Sequence, residues 1–404
     1  MTARRQPMPV RRVDDDERRS RLAVRQGLAV ESRFGDEVAA TRGMTVLHAT
    51  EPASVHLALW ARVAGLSFGA VEEALYGSRT LVKQTAMRQT LFVFPLDLLP
   101  AAWGSASARV ARTLGPRLAT DLVASGVTHD GASWLERVGD AVVELLETRE
   151  VSGAELRELV PEVDVKVDRG AGKWAAATPV APQLLWLLNA QGRVLRASNG
   201  GHWRLSKPRW RATSAWLPTV PEPQSEREGY AELVRRWLRT FGPGTEADLR
   251  WWLGGTLTAV RAALLDVEAV PVSMDGTDRP GWLLPEDVEP VARPAEWVAL
   301  LPTLDPTVMG WHGRDFYLGP HRAMTFDSAG NAGTTAWWDG RIVGTWVQDQ
   351  TGAVRVHLLE EVPARVRQAL DSHAEQLTAW LDGVIVNGVY ASAAMQEARA
   401  AHEG

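Results

Sequence analysis

Few residues in this chain have the means to do chemistry. His48, Thr50 and Glu51 fall within the run Leu47-His48-Ala49-Thr50-Glu51-Pro52, at the start of a stretch whose apolar residues recur with helical spacing. An imidazole, a hydroxyl and a carboxylate within one turn can aim or deprotonate a single water. Backbone N–H groups at a helix start carry partial positive charge and disfavour imidazolium, so His48 is expected to be neutral near pH 7. The same residues also fit a purely structural part, with Thr50 capping the helix, Glu51 complementing its dipole and His48 lining a core contact. A second cluster is cationic. Arg193, Arg196, His202, Arg204, Lys207, Arg209 and Arg211 interleave with Trp203 and Trp210 around an Asn199-Gly200-Gly201 turn, and Lys83 and Arg88 lie in another basic tract. Guanidinium forks suit phosphate oxygens and indoles stack on sugars or bases, so the expected partner is duplex DNA. The competing reading is a surface hairpin whose tryptophans only complete a core.

Other chemistries are excluded by what is missing. With no cysteine there is no disulfide framework, thiolate metal site or cysteine nucleophile. No glycine-rich dinucleotide fingerprint, P-loop, HExxH or GxSxG run occurs, and the nine histidines include no metal-binding pair on one helix face. No cofactor and no metal are expected.

The elements that must position these residues come in a repeating order. Glu51 to Val63 reads as a helix, Ser67 caps a second that Gly77 ends, and Leu81–Met87 and then the β-prone run Thr90–Pro95 follow. Helices at Trp134–Glu147, Ser152–Leu159 and Pro179–Asn189 then precede a hairpin, Arg193–Arg196 with His202–Leu205. Helices at Tyr230–Thr240, Thr245–Leu253 and Thr256–Leu265 precede another, around Asp275-Gly276. Helices followed by a two-stranded hairpin are the order of a winged helix-turn-helix. The expected fold class is therefore α+β, with about three tandem winged helix-turn-helix units and a β-rich C-terminal part. Their spans are 1–25 for a flexible arm, 26–120, 121–220 and 221–294 for the three units, and 295–404 for the β-rich part with its closing helix. Asp339-Gly340 marks a tight hairpin in that last part.

At 404 residues the chain is long enough for several domains, and its net charge of −5 conceals strong segregation. Arg169 to Pro221 has no acidic residue, and Ala74 to Thr120 has only Asp97; the segment between them, Asp121 to Asp168, is acidic. A polyanion responds to local potential within about 10 Å rather than to net charge, so a phosphate-rich partner remains compatible with a pI near 6.0. The first thirty residues contain no apolar signal region. The most apolar stretch, Pro179 to Leu188, is too short to span a membrane. The expected setting is cytoplasmic, without membrane association.

The run Leu47–Pro52, followed by Leu57-Ala58-Leu59-Trp60-Ala61-Arg62, resembles the N-terminal signature of the AlkZ-like crosslink-repair DNA glycosylases. Met87-Arg88-Gln89-Thr90-Leu91 resembles that family's Met-Arg-Gly-Thr-Leu-His segment, with Gln89 in place of the glycine and Phe92 in place of the histidine. Leu301-Pro302 with Asp305-Pro306, and Asp339 to Trp346, resemble its C-terminal motifs. The resemblance runs colinearly over about residues 40–350. It implies tandem winged helices cradling duplex DNA and hydrolysis of the N-glycosidic bond of bulky or crosslinked N7-alkylated guanine. It also implies a water-holding pair, Gln-x-Gln or Gln-x-Asp in the family, at the positions of His48 and Thr50. Such a protein would act as a monomer on damaged duplex DNA. The alternatives are a catalytically silent, regulatory winged-helix DNA-binding protein and a protein that sequesters a DNA-alkylating metabolite.

Overall fold

The structure is a computed structural model that describes residues 8–169, 176–386 and 388–403. Lys173 of the second basic tract lies outside them. The architecture is mixed α and β. It divides into two compact units, Glu72–Tyr230 and Met1–Val71 with Ala231–Gly404, so the span expected for the first unit, 26–120, is split between them.

In the Glu72–Tyr230 unit, the helix Gly131–Thr148 leads to a two-residue strand, Val151–Ser152, then to the helices Gly153–Leu159 and Val180–Ala190. The hairpin Val194–Asn199 with Pro208–Ala212 follows, and the short strand pairs with its second strand through Val151 and Trp210. Ser152 and Glu155 form a reciprocal capping box that satisfies two donors at the helix start. Trp134, Val138, Val142 and Leu146 recur at helical spacing and pack with Leu184, Leu188 and Trp210 in one core. The hairpin's second strand is not the expected His202–Leu205. Asn199 enforces a longer loop: its Oδ1 accepts from the Lys207 N–H at 2.8 Å and its Nδ2 donates to the carbonyls of Gly201 and His202.

The same order recurs as the helix Glu226–Phe241, strand Gly244–Thr245, helices Glu246–Leu253 and Leu257–Asp266, and hairpin Val270–Met274 with Thr277–Leu283. Its capping box, Thr245 with Asp248, stands where Ser152 and Glu155 stand in the other, and again the short strand pairs with the hairpin's second strand. A third instance of the element order runs through Glu37–Gly43, Leu47–His48, Pro52–Trp60, Phe68–Glu72 and the hairpin Leu81–Thr85 with Leu91–Pro95.

The expected flexible arm is overturned for its described residues. Arg12–Val13 pairs in parallel with Ser273 and Met274, and Asp15–Arg25 is a helix capped by Asp14. The acidic run sits in the first turn, where it complements the helix dipole. Arg21 is buried, paired with Glu17 and donating to the carbonyls of Asp287 and Glu289. A charge-rich segment that resembles a solvated arm is thus a packed amphipathic helix.

The C-terminal part is a four-stranded antiparallel sheet of Val298–Leu301, Thr335–Trp338, Arg341–Gln348 and Val354–Leu358, with the helix Ala364–Leu381. Asp339 and Gly340 have φ of 46° and 81°, the left-handed pair that a tight hairpin turn requires. A final helix, Ala393–Glu403, was not anticipated; Met395 and Ala398 bury against Val347. Among the described residues no helix is long and apolar enough to cross a membrane.

Candidate active site and nucleic-acid surface

His48 closes the strand Leu47–His48 and is 9% exposed, whereas Thr50 is solvent-exposed. Thr50 does not cap the helix. The helix Pro52–Trp60 has Glu51 at its cap position with no side-chain capping bond, and Pro52, which has no N–H to satisfy, opens the first turn. The Thr50 hydroxyl therefore remains available to a water. Glu51 neither caps nor faces solvent: it is buried, and its Oε1 accepts from the backbone N–H of Val389 at 2.8 Å.

Glu51 also lines a recess with Ser54, Thr303, Thr334, Gln348 and Arg399, holding about 40 Å³ of room for water. That is enough for a few ordered molecules, and the polar lining suits them. Burial pushes the Glu51 carboxyl above its ordinary range, opposed in part by the Val389 N–H. A raised folded-state pKa means that the fold favours the neutral carboxyl. Its stabilising contribution is present at low pH and lost as pH rises through that pKa. Glu51→Gln keeps the acceptor for Val389 without a buried charge. It should gain stability relative to the wild type between pH 4 and pH 8, read by urea unfolding; a pH-independent difference would contradict this. Arg399 reaches the recess from the unanticipated last helix, and nothing local in the sequence signals it.

Three of the segments behind the family resemblance, at Leu57–Arg62, Leu301–Pro306 and Asp339–Trp346, meet physically in the larger unit. Arg62 and Asp305, both fully buried, form a two-pronged ion pair at 2.7 and 2.9 Å. Arg62 also donates to the Ala58 carbonyl and to Thr307 Oγ1, which in turn donates to Gln26 Oε1. Ser54 Oγ donates to the Thr303 carbonyl at 2.6 Å, and Trp346 Nε1 donates to the Leu301 carbonyl at 2.8 Å. These motif residues hold the helix that follows His48 and Thr50 against the C-terminal sheet; their role is positional.

In the Glu72–Tyr230 unit the expected DNA-contacting residues separate into three groups, with Arg88 apart from them. Arg193 pairs with Asp140 at 2.7 Å, Arg209 with Glu155 at 3.0 Å, and Arg211 donates to the Glu147 carbonyl. The acidic stretch thus folds against the basic hairpin and neutralises much of it. Lys83 and Arg196 form a half-buried group in which Lys83 Nζ donates to Tyr76 Oη at 2.7 Å. Burial, reinforced by Arg196, lowers Lys83 to about 8, and burial lowers Arg196 to about 10. The hairpin loop carries the remainder. Arg204 and Lys207 make no ion pair among the described residues, and His202 lies beside Trp203 with ring centroids 5.5 Å apart. Arg88 is half-buried in the turn of the Leu81–Pro95 hairpin, and Phe92 is core, edge-on to Phe94.

The model of the family "DNA glycosylase AlkZ-like" matches residues 41–380, and the chain belongs to that family of N-glycosidic hydrolases acting on DNA. Among solved structures, the DNA glycosylase AlkZ of Streptomyces sahachiroi is similar, with a TM-score of 0.72 over 91% of this chain and 97% of that one. At 18% identity this is a likeness of fold. No protein of curated function matches the chain.

Proposed function

We propose that this glycosylase releases bulky or crosslinked N7-alkylated guanine from damaged duplex DNA, with His48 and Thr50 holding the attacking water. The observation that carries the reading is the family match across His48–Glu51, together with a Thr50 hydroxyl committed to no cap. N7-alkylated guanine is already cationic and leaves without a strong general acid. The protein must chiefly bind the lesion, aim one water at C1′ and tolerate an oxocarbenium-like sugar. Neutral polar groups suffice for that. Glu51, tied to Val389, positions the start of the helix in this scheme rather than holding the water. A crosslinked base cannot swing freely out of the duplex, so a water held near the surface suits it better than a deep base pocket.

The proposal includes three winged-helix units, supported by the recurring helix–strand–helix–helix–hairpin order and its two matching capping boxes. It also includes a monomer acting in the cytoplasm. Arg204 and Lys207, which make no ion pair among the described residues, are its phosphate contacts. Replacing both by alanine should shallow the log–log salt dependence of duplex binding by about 1.8, at roughly 0.9 per phosphate contact. An unchanged slope, measured by fluorescence anisotropy across a salt series, would remove the hairpin loop from the interface. The departure of His48 and Thr50 from the family's Gln-x-Gln favours one other reading, a DNA-binding protein without catalysis. Incubation with N7-methylguanine and crosslinked duplexes decides between them: released base establishes the enzyme, and tight binding without release establishes the silent binder.

A further inference from the structure

A recess of about 360 Å³ lies wholly within the Glu72–Tyr230 unit. Leu114, Leu118, Pro182 and Trp186 line it, with Gln89 and Gln183 as its polar groups. Small-molecule sites usually measure about 300–1,000 Å³ and combine apolar and aromatic walls with a few amides, as here. The Gln183 Nε2 donates to the Pro179 carbonyl at 3.0 Å, which leaves its Oε1 without a partner.

Two further features point to what the recess takes. The Arg196 guanidinium lies 5.9 Å from the Trp186 ring centroid and 5.3 Å from that of Trp210, with no ion pair among the described residues. A fixed positive charge therefore flanks the indole, which suits a ring attached to a phosphodiester backbone. Gln89 is held in a strained turn. Arg88 and Gln89 have φ of 53° and 58°, and the Thr90 N–H closes the turn on the Met87 carbonyl at 3.0 Å. That conformation favours glycine, and a side chain there costs about 1 kcal/mol or more. The exposed Gln89 side chain makes no hydrogen bond among the described residues that would offset the cost. Strain of this kind collects at ligand sites.

We propose that the recess receives a planar aromatic ring from the DNA partner, stacked on Trp186 with the Gln89 carboxamide at its edge. The ring is either an unstacked nucleobase or the aryl substituent of a lesion. The inference rests on the DNA partner and bulky adduct proposed above, and it supplies a specificity site separate from the water-holding pair.

The test measures binding of the full chain to three duplexes by fluorescence anisotropy: one fully paired, one with a single bulged 2-aminopurine, and one carrying N7-benzylguanine. Trp186→Ala and Gln89→Gly should each weaken binding to the bulged or the benzylated duplex, Trp186→Ala by roughly 10- to 100-fold, the usual worth of one stacked ring. The fully paired duplex should be bound within about twofold of wild type. Which modified duplex is affected identifies the source of the ring. Trp186→Phe should retain most of the binding. Gln89→Gly should also raise the melting temperature, because glycine relieves the turn, so its loss of binding cannot be a folding defect. Equal losses on all three duplexes, or none on any, would overturn the proposal. Free 2-aminopurine riboside, whose fluorescence falls on stacking, reads the recess without DNA. Quenching that Trp186→Ala abolishes supports a ring site even if no duplex is bound, in which case the DNA reading fails separately.

Discussion

Asp305→Ala is expected to destabilise the protein by about 3–5 kcal/mol, the cost of stranding one member of a buried ion pair. Asp305 and Arg62 are both 0% exposed, and the two Nη groups of the guanidinium also donate to the Ala58 carbonyl and Thr307. Removing the carboxylate leaves a full charge in the core and also deprives the Thr307 N–H of its acceptor. The Coulombic attraction of the pair is not the quantity lost, since desolvation has already consumed much of it. For that reason Arg62→Met combined with Asp305→Leu should recover most of the loss, an apolar pair replacing an ionic one. Urea unfolding of the wild type, both single variants and the double variant gives the cycle. A loss below about 1 kcal/mol for Asp305→Ala would mean that water reaches Arg62 and that the pair is not sealed.

His48→Ala should cut base release by about 10² or more while leaving duplex affinity nearly unchanged, the usual size of a positioned general base or water-holding group. His48 is largely buried, so its removal also disturbs packing, and melting temperature must be read alongside the rate. His48→Gln separates the two effects. It returns the amide the family carries at this position, and it should restore release better than alanine does. Thr50→Val should cost less than His48→Ala, because the exposed hydroxyl shares its water with solvent. Release at the wild-type rate by His48→Ala would show that the motif is inherited but idle. A gain toward simple N7-alkyl lesions when His48 and Thr50 both become glutamine would show a competent scaffold narrowed by this pair.

Much of the fold was legible because it is decided locally. Apolar residues at helical spacing located the helices around Trp134 and Leu184, within a few residues of their observed ends. Ser152 with Glu155 and Asp339-Gly340 announced a helix start and a hairpin from neighbouring residues alone, since a capping box and a left-handed turn are satisfied within four positions. The family resemblance at Leu47–Pro52 was legible for the same reason, since its residues stand side by side, and the family match covers that run.

Where the reading failed, long-range packing was deciding. Nothing near Glu51 in sequence says that its carboxyl turns to Val389 instead of capping, because the competing acceptor sites differ by little and a distant backbone N–H settles the choice. The acidic run before Leu22 resembles a solvated arm until Asp287 and Glu289 supply carbonyls for Arg21. Charge segregation along the chain was real, but it was partly cancelled in space, since Asp140 and Glu155 fold onto Arg193 and Arg209. The sequence by itself determined the modules and their caps. Only the tertiary structure decided which arginines keep their charge available, which carboxyls are buried and which recess is left open, because ion pairing and desolvation act between groups that the chain brings together from far apart.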